Sequence, residues 1–469
     1  MKKKELEKLE KKLAAKPVLV WDTLKEAEKK EVEKTAGDYK AFLDAAKTER
    51  EAVREIAARA GKAGFKPLSG RERPARVYQA VRGKVAAVSV AGRKPLTEGL
   101  RLIVSHLDAP RLDLKPRPLY EEVDLVLLKT HYYGGVKKYQ WLSRPLALHG
   151  CVVKEDGRVL DLVLGEDEND PVLTIADLLP HLARQVQADK KVTEAFPGEK
   201  LNLLAGSLPL GDEEVKSRFK LAVLDLLDRK WGLVEEDFVS AEFEAVPAGK
   251  ARDVGLDRSL IGGYGQDDRI CAYCSLDALT KIKDPEYTCL ALFVDKEEVG
   301  SDGATGAKSR FFEDFVSQLM DKAGLAPTSA ALRQALINTK ALSADVNGAL
   351  DPDFQEVHEK MNAAKLGYGP CVTKFTGHGG KYGASEASAE LMGWLRGIFR
   401  KEKIVWQPAL LGKVDEGGGG TVAMFLAKYG LEIVDCGPAL LAMHAPFEIS
   451  SKADVYMTGR AYQAFYRAG

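Results

Sequence analysis

The sequence predicts an α/β protein whose main domain is interrupted by a strand-rich insertion. Two observations support this fold class. Residues 76–106 and the chain from about residue 255 onwards combine apolar strand patterns with helical ones, as α/β folds do. The pattern of residues 109–254 instead predicts mainly short strands that are separated by turns. We therefore predict a discontinuous main domain, residues 1–108 and 255–469, with residues 109–254 inserted.

Charge, cysteine content and hydropathy narrow the functional class. The 469 residues are enough for two or three domains, and 69 Lys and Arg balance 69 Asp and Glu. That balance provides no basic field for nucleic acid. The six cysteines are scattered, as is typical of reduced thiols, and no run of 18 apolar residues occurs. We predict a soluble cytoplasmic protein with no nucleic-acid or membrane partner.

Helical and strand patterns follow one another along the first part of the chain. Residues 1–16 alternate charge with three leucines, which predicts an amphipathic helix. Residues 37–61 carry apolar side chains at helical spacing and end in glycines that stop helices. The segments "RVYQAV", "KVAAVSVA" and "LRLIVSH" then read as three strands. From "GGYGQDDRICAYCSL" onwards, strand, loop and helix patterns alternate.

Five separated segments each place a metal-binding residue type beside an apolar strand or in a turn. The first is "IVSHLDAP", where His106 and Asp108 stand two apart at a strand end and so point the same way. The imidazole can bind a metal while the carboxylate holds its other nitrogen. The second is "YGQDDRICAY", where Asp267 and Asp268 repel one another unless a cation lies nearby. One of them can bridge two metals, and capping of the following helix is the alternative.

The third segment is "LALFVDKEEVGSDGA", an apolar strand that ends on Glu297 and Glu298. One glutamate can bind a metal while the other accepts the proton of a metal-activated water. Asp345 in "ALSADVNGALDP" and His444 in "ALLAMHAPFEIS" complete the set. Two histidines and three carboxylates suit two divalent ions that share one bridging carboxylate, Zn²⁺ first and Co²⁺ or Mn²⁺ next.

Five motifs, H-L-D, Q-D-D-R, E-E-V-G-S, S-A-D-V and M-H-A-P-F-E, carry a specific resemblance. In this order and spacing they resemble the aspartyl aminopeptidase family of di-zinc metallopeptidases, over nearly the whole chain. The resemblance implies an α/β/α sandwich with a mixed central sheet, interrupted by a β-rich dimerisation domain. It implies a bridging Asp267, joined to Asp268 by a cis peptide, and His106 and His444 as further ligands. Glu298 and Asp345 would each complete one site or the other.

The resemblance also implies a reaction. A metal-bridged hydroxide would attack the first peptide bond, with Glu297 as the general base and Asp108 as the acid behind His106. His181, from the insertion of a neighbouring subunit, would help to stabilise the oxyanion. Family members assemble from dimers into tetrahedral dodecamers. The expected function is therefore removal of N-terminal amino acids from peptides by a homo-oligomeric enzyme.

Substrate preference rests on two further segments. "CVTKFTGHGGKYGASEA" resembles the stretch that lines the family's substrate pocket, where Lys374 would pair with an acidic side chain. "VDEGGGGTVAMFLA" resembles a Gly-rich loop in which Gly418 and Gly419 would approach the substrate backbone. Phosphate binding by this loop is the alternative, but no lysine follows at P-loop spacing. "YGASEA", and the lack of a histidine after Asp345, depart from the family pattern and weaken the acidic preference.

Other interpretations of the function of the whole chain remain open. A related di-metal deacylase, or an aminopeptidase that prefers neutral residues, would use the same ligands. A shell-forming protein with an idle metal site is a non-enzymatic reading. "EVHEKMNAAK" lacks the second histidine of the H-E-x-x-H zinc helix, and we predict a surface helix there.

Overall fold

The structure is a computed structural model that describes residues 3–69, 75–380 and 382–469. A nine-stranded mixed sheet has helices on both faces, and a separate six-stranded sheet is antiparallel throughout. The predicted α/β/α sandwich with a mixed central sheet is confirmed. The boundaries at residues 108 and 254 stay a prediction, and β-strand 252–254 already pairs with the main domain.

The first part of the chain supplies four helices and four strands. These are α1 (Lys3–Leu13), α2 (Val20–Thr23), α3 (Glu26–Ala45), α4 (Glu49–Lys62), β1 (Lys66–Pro67), β2 (Arg76–Val81), β3 (Val85–Val90) and β4 (Leu100–His106). The helical pattern over residues 37–61 is divided between α3 and α4. Thr48 causes the division, because it exchanges hydrogen bonds with Glu51 in a capping box that starts α4.

The middle of the chain forms the six-stranded sheet and three helices. These are β5 (Arg111–Glu122), β6 (Leu125–Tyr133), β7 (Leu146–Val153), β8 (Val159–Leu164), α5 (Pro180–Val186), α6 (Val192–Ala195), β9 (Leu203–Gly206), α7 (Arg218–Trp231) and β10 (Ala241–Pro247). The strand order is β8-β7-β10-β5-β6-β9. Its apolar face packs into a core of its own, whereas side chains such as Val159 and Val163 on the edge strand are exposed.

The remaining residues complete the main domain. The strands are β11 (Arg252–Val254), β12 (Leu260–Gly263), β13 (Thr288–Val294), β14 (Lys340–Ser343), β15 (Asn347–Gly348), β16 (Cys371–Thr373), β17 (Gln407–Pro408), β18 (Glu432–Gly437), β19 (Ala439–Leu440) and β20 (Glu448–Ser451). The helices are α8 (Gln266–Thr280), α9 (Phe311–Lys322), α10 (Ser329–Ile337), α11 (Ala389–Lys401), α12 (Ala423–Leu426) and α13 (Lys452–Arg467).

The central sheet has the order β1-β2-β3-β13-β4-β14-β18-β16-β17. Its middle strands β13, β4, β14 and β18 run parallel. Parallel strands end at the same edge of a sheet, and α/β proteins bind ligands at that carboxyl edge. The loops that follow His106, Val294 and Ser343 therefore meet.

Both faces of the central sheet are buried. Along β13, Ala291 and Phe293 pack with α3, α4, α8, α11 and α13, whereas Leu290 and Leu292 pack with α9, α10 and α12 on the other face. This alternation follows from the two-residue period of a strand. It holds the strand ends in a rigid frame between two apolar cores.

Two global features bear on the chain's environment. All six cysteines are free thiols buried in the interior. Among the described helices, none combines the length and the apolar character needed to span a bilayer.

Candidate active site

Five residues predicted to bind metal lie together at the carboxyl edge of the central sheet. His106 ends β4, Asp345 follows β14 by two residues, and Glu298 lies in a 3₁₀ turn after β13. Asp267 is the second residue of α8, and His444 lies in the loop between β19 and β20. The backbone is left-handed at Lys296, beside this turn, and at His444. A left-handed residue lets the chain reverse direction sharply, and here the two reversals bring the side chains of Glu298 and His444 to the edge of the sheet.

Asp267 stands between the two histidines. Its Oδ1 lies 3.1 Å from Nε2 of His106, and its Oδ2 lies 3.2 Å from Nε2 of His444. The carboxylate thus directs one oxygen to each side. This arrangement suits a bridge between two cations.

The ligand atoms fall into two groups that share Asp267. One contains His106, Asp267 and Asp345, and the other contains Asp267, Glu298 and His444. Within each group the ligand atoms all lie within 4.8 Å of one another. In the two groups that share Asp267, Asp345 lies with His106, and Glu298 lies with His444. Glu297 lies beside both groups, with His106 and Glu298.

Asp108 holds the surrounding backbone in place. Its carbonyl oxygen is 3.0 Å from Nδ1 of His106, which leaves Nε2 directed towards Asp267. Its carboxylate accepts the backbone N–H groups of Glu297 and Glu298, at 3.1 Å each. Asp108 therefore links the β4 histidine to the two glutamates after β13, but its backbone carbonyl, rather than the predicted carboxylate, lies nearest to the His106 ring, since Oδ1 is 3.5 Å from Nδ1.

A cis peptide joins Asp267 to Asp268, as the resemblance implies. Neither aspartate caps α8: Asp268 accepts the backbone N–H of His106 through Oδ2, at 3.2 Å. The capping alternative for this pair is therefore wrong. Both carboxylates serve the strand-end cluster.

Glu448 is a structural member of the site that the sequence reasoning did not single out. Its carboxylate accepts the backbone N–H groups of Gln266, Asp267 and His444, at 2.6, 3.2 and 2.8 Å. It thus fixes the two segments that carry the bridging aspartate and the second histidine. Its signal in the sequence is an acid at the start of the buried segment that follows "MHAPF".

The electrostatics of the cluster favour the binding of a cation. Burial, and then the charge of Asp267, raise the pKa of Glu298 well above its ordinary value. Burial raises the pKa of Glu297 to about 7, with Asp267 and Asp108 adding to the effect against the two histidines. Oε1 of Glu298 and Oδ1 of Asp268 are buried without a hydrogen-bond partner. Imidazole and carboxylate donors in this number fit a pair of zinc ions.

A cavity of about 620 Å³ opens onto the cluster. Gly418 and Gly419 line it, as predicted for residues that contact substrate. Gly418 has φ +80°, and a Cβ there would lie 2.2 Å from the carbonyl oxygen of Gly377, so only glycine fits. The loop therefore presents bare backbone to the cavity.

Two predicted residues lie away from the cavity in the single chain. Lys374 is exposed and is not among the residues that line it. His181 is exposed on α5 of the six-stranded region, and its role at a neighbouring subunit stays a prediction. The predicted surface helix over "EVHEKMNAAK" is wrong: the segment forms only a short 3₁₀ turn, Gln355–Val357, and Glu359 lines the cavity.

Similarity to known proteins decides the family. The family model described as "Aminopeptidase I zinc metalloprotease (M18)" matches residues 42–466. The chain belongs to the M18 family of aminopeptidases. It is 49% identical over 452 residues to a probable M18 family aminopeptidase 1 of Clostridium acetobutylicum, covering 95% of this chain and 97% of that protein. A probable M18 family aminopeptidase 1 of Thermotoga maritima is 48% identical over 440 residues, covering 93% and 96%.

The solved structures agree. The Thermotoga maritima M18 aminopeptidase superposes with a TM-score of 0.93 at 46% identity, covering 97% of this chain and 100% of that one. Aminopeptidase I of Clostridium acetobutylicum superposes with a TM-score of 0.90, with the same identity and coverage. The protein is therefore a zinc metallopeptidase, an aminopeptidase that hydrolyses peptide bonds. The roles of its individual residues stay predictions.

Proposed function

We propose that this aminopeptidase works with two divalent cations, Zn²⁺ first, held around a bridging Asp267. His106 and Asp345 complete one site, and Glu298 and His444 complete the other. The observation that supports this most directly is the position of Asp267, with one oxygen near each histidine. The two groups of ligand atoms that share Asp267 support a count of two.

Bound cations of this kind polarise a peptide carbonyl and make water acidic. Glu297 accepts the proton of the attacking water and passes it to the leaving amine. The side chain of Glu297 lines the cavity beside the ligand groups, and Asp108 holds its backbone. The free α-amine of a peptide is attracted to the surrounding carboxylates, which restricts cleavage to the N-terminus.

The preferred N-terminal residue is the finer part of the proposal. The acid-selecting role of Lys374 has no support from its exposed position. Apart from Lys413, the side chains that line the cavity beyond the acidic cluster include the apolar Val346, Phe375, Leu410 and Met443. These supply apolar contact area, so we favour neutral side chains over acidic ones.

The proposed assembly is a homo-oligomer that reaches a tetrahedral dodecamer. A yeast aminopeptidase of the same fold, 20% identical with a TM-score of 0.73, is a dodecamer. In this chain the six-stranded region exposes Val159, Val163 and Leu182, which supports contact with another copy. His181 lies beside Leu182, so such a contact would carry it towards a partner. Sedimentation velocity measures the assembly, and a monomer that is fully active would contradict it. A cytoplasmic location stays a prediction.

Metal counting and a substrate panel test the function together. We expect two zinc ions per chain in the wild type, the loss of one in His444→Ala and the loss of both in Asp267→Ala. Aminoacyl anilides should be hydrolysed and acylated amino acids left intact, with leucine or methionine anilide preferred to aspartyl anilide. A single ion per chain would contradict the bridging role. Hydrolysis of the acylated compounds alone would favour the deacylase.

A further inference from the structure

Three consecutive residues of the inserted region, Tyr133 to Gly135, contact the catalytic cluster. The hydroxyl of Tyr133 donates a hydrogen bond to Oδ2 of Asp108, at 2.8 Å. Gly134 lies against Glu298, since a Cβ at this glycine would lie 3.2 Å from Oε2 of that side chain. The carbonyl oxygen of Gly135 lies 3.2 Å from Nδ1 of His444. The end of β6 therefore forms part of the wall behind the proposed metal ligands.

The ring of Tyr133 is itself fixed by charged residues. Tyr133 stands directly opposite Arg111 in the β5–β6 pair, and the guanidinium carbon lies 3.9 Å from the ring centre. Arg111 is buried and pairs with Glu49 of α4 at 3.3 Å and with Glu244 of β10 at 3.1 Å. A cation over an aromatic face and buried ion pairs behind it restrict the ring. The direction of the hydroxyl is therefore set by contacts from both parts of the chain.

We propose that Tyr133 is a positioning residue that acts on the reaction through Asp108. Oδ1 of Asp108 accepts a hydrogen bond from the backbone N–H of Glu297. Oδ2 accepts one from the backbone N–H of Glu298 and another from the hydroxyl O–H of Tyr133. Without the hydroxyl, Oδ2 keeps one donor, and the carboxylate is freer to rotate. The backbone N–H groups of both glutamates donate to this carboxylate. Its rotation therefore shifts Glu297, the proposed base, and Glu298, a proposed metal ligand, together.

The hydroxyl is suited to this role because it remains a donor. Burial, and then the charge of Asp108, raise the pKa of Tyr133 far above its ordinary value. A neutral hydroxyl adds no charge to a cluster that already holds several carboxylates. The inserted region thus supplies a neutral donor from its last β6 residue to an acid at the end of β4.

The matched experiment compares Tyr133→Phe with Tyr132→Phe. Both variants lose one hydroxyl, but Tyr132 is exposed, and among the described residues it is Tyr133 that donates to Asp108. We expect Tyr133→Phe to weaken zinc binding or lower kcat by about 10–100-fold, with KM within about twofold, as for other residues behind metal ligands. Zinc affinity is measured by competition with a chromogenic chelator. Tyr132→Phe should match the wild type in both.

A second comparison separates positioning from loss of folding. If Tyr133 acts through Asp108, the double variant Asp108→Asn/Tyr133→Phe should lose no more zinc affinity or kcat than Asp108→Asn alone. Equal values for Tyr133→Phe and Tyr132→Phe would overturn the proposal. So would losses in Tyr133→Phe that match its unfolded fraction by circular dichroism, with the folded fraction binding zinc as the wild type does. The proposal rests on the two-cation function, whose own failure would appear in the wild type as the wrong zinc count.

Discussion

The two large sheets of this aminopeptidase differ in pairing, burial and what stands at their strand ends. The middle strands of the central sheet are parallel and buried on both faces, and acids and histidines follow them at one edge. The six-stranded sheet is antiparallel, packs one face on its own core and exposes apolar side chains elsewhere. Pairing accounts for the difference, since parallel strands are covered by their crossover helices.

This difference separates two kinds of contribution to one site. The central sheet brings together groups that are distant in sequence, because its parallel strands all end at the same edge. The six-stranded sheet reaches that edge with the end of β6, where Tyr133 and the two following glycines contact the cluster. The first sheet positions the proposed reactive groups, whereas the second supplies supporting contacts and exposed surface.

The largest expected effect tests where the chemistry lies. Glu297→Gln removes the proposed base at the edge of the central sheet and keeps the shape of the side chain. We expect kcat to fall by about 10²–10⁴-fold, the usual contribution of general base catalysis. Zinc content should stay unchanged, because the two ligand groups that share Asp267 do not include Glu297. Anilide hydrolysis and metal analysis on the same preparation measure both quantities.

Glu213→Gln is the matched control, since Glu213 is an exposed glutamate of the inserted region. It should leave both kcat and zinc content at the wild-type level. Full activity of Glu297→Gln would remove Glu297 from the reaction. A parallel loss of zinc would make it a ligand instead.

The proposed strand-end ligands were predictable from the sequence because each follows its own apolar strand or lies at the start of a helix. "LRLIVSH" and "LALFVDKEE" mark the strands, and their shared edge follows from α/β topology. The resemblance added the proposed bridging role of Asp267, and also its cis peptide. Which carboxylate belongs with which histidine depends on the paths of two loops, so it came only from the structure.

The supporting contacts were not accessible in the same way. Tyr133 meets Asp108 because β5 and β6 pair in a register that places Arg111 opposite Tyr133. No local pattern fixes that register, since it depends on where the β5–β6 hairpin turns. Glu448 likewise holds one segment more than 180 residues away, through the backbone N–H groups of Gln266 and Asp267, and the only trace of this contact in the sequence is an acid in a buried segment. The division between α3 and α4 at Thr48 was readable as a capping box, but the continuous apolar spacing obscured it.

A smaller effect tests the difference in burial between the sheets. Val88→Ala removes a fully buried side chain from β3, and Val163→Ala makes the same change at a side chain of β8 that is 48% exposed. We expect the first to lower the free energy of unfolding by about 2–3 kcal/mol, from lost transfer energy and a cavity. The second should change it by about 0.5 kcal/mol or less. Urea unfolding of both variants measures the two values.

A large loss in Val163→Ala would show that another copy covers β8 and that this surface is an interface. Repeating the unfolding over a range of protein concentrations distinguishes that case, because stability gained by association rises with concentration. Equal small losses in both variants would contradict the burial difference itself.

The smallest effect lies where the two regions meet. His149 of β7 is buried between Glu51 of α4, 2.8 Å from Nδ1, and Glu166, 3.0 Å from Nε2. Burial lowers the pKa of His149, but the hydrogen bonds to Glu166 and Glu51 outweigh it and raise the pKa above its ordinary value. Lys47 also pairs with Glu166 and competes for that carboxylate. Through its two ring nitrogens, His149 links the six-stranded sheet to the helical layer of the main domain.

The sign of the pH dependence follows from the raised pKa. Protonated His149 contributes its full stabilisation below the unfolded pKa of about 6.5, and the contribution is lost as pH rises through the higher folded value. His149→Gln should therefore cost roughly 1–2 kcal/mol at pH 6, the scale of charged hydrogen bonds, and less at pH 9. His131→Gln, at an exposed histidine of β6, is the matched control for the substitution itself. Urea unfolding at both pH values measures the loss in the free energy of unfolding. If the loss in His149→Gln did not vary with pH, the packing of the side chain rather than its charge would stabilise the contact between the two regions.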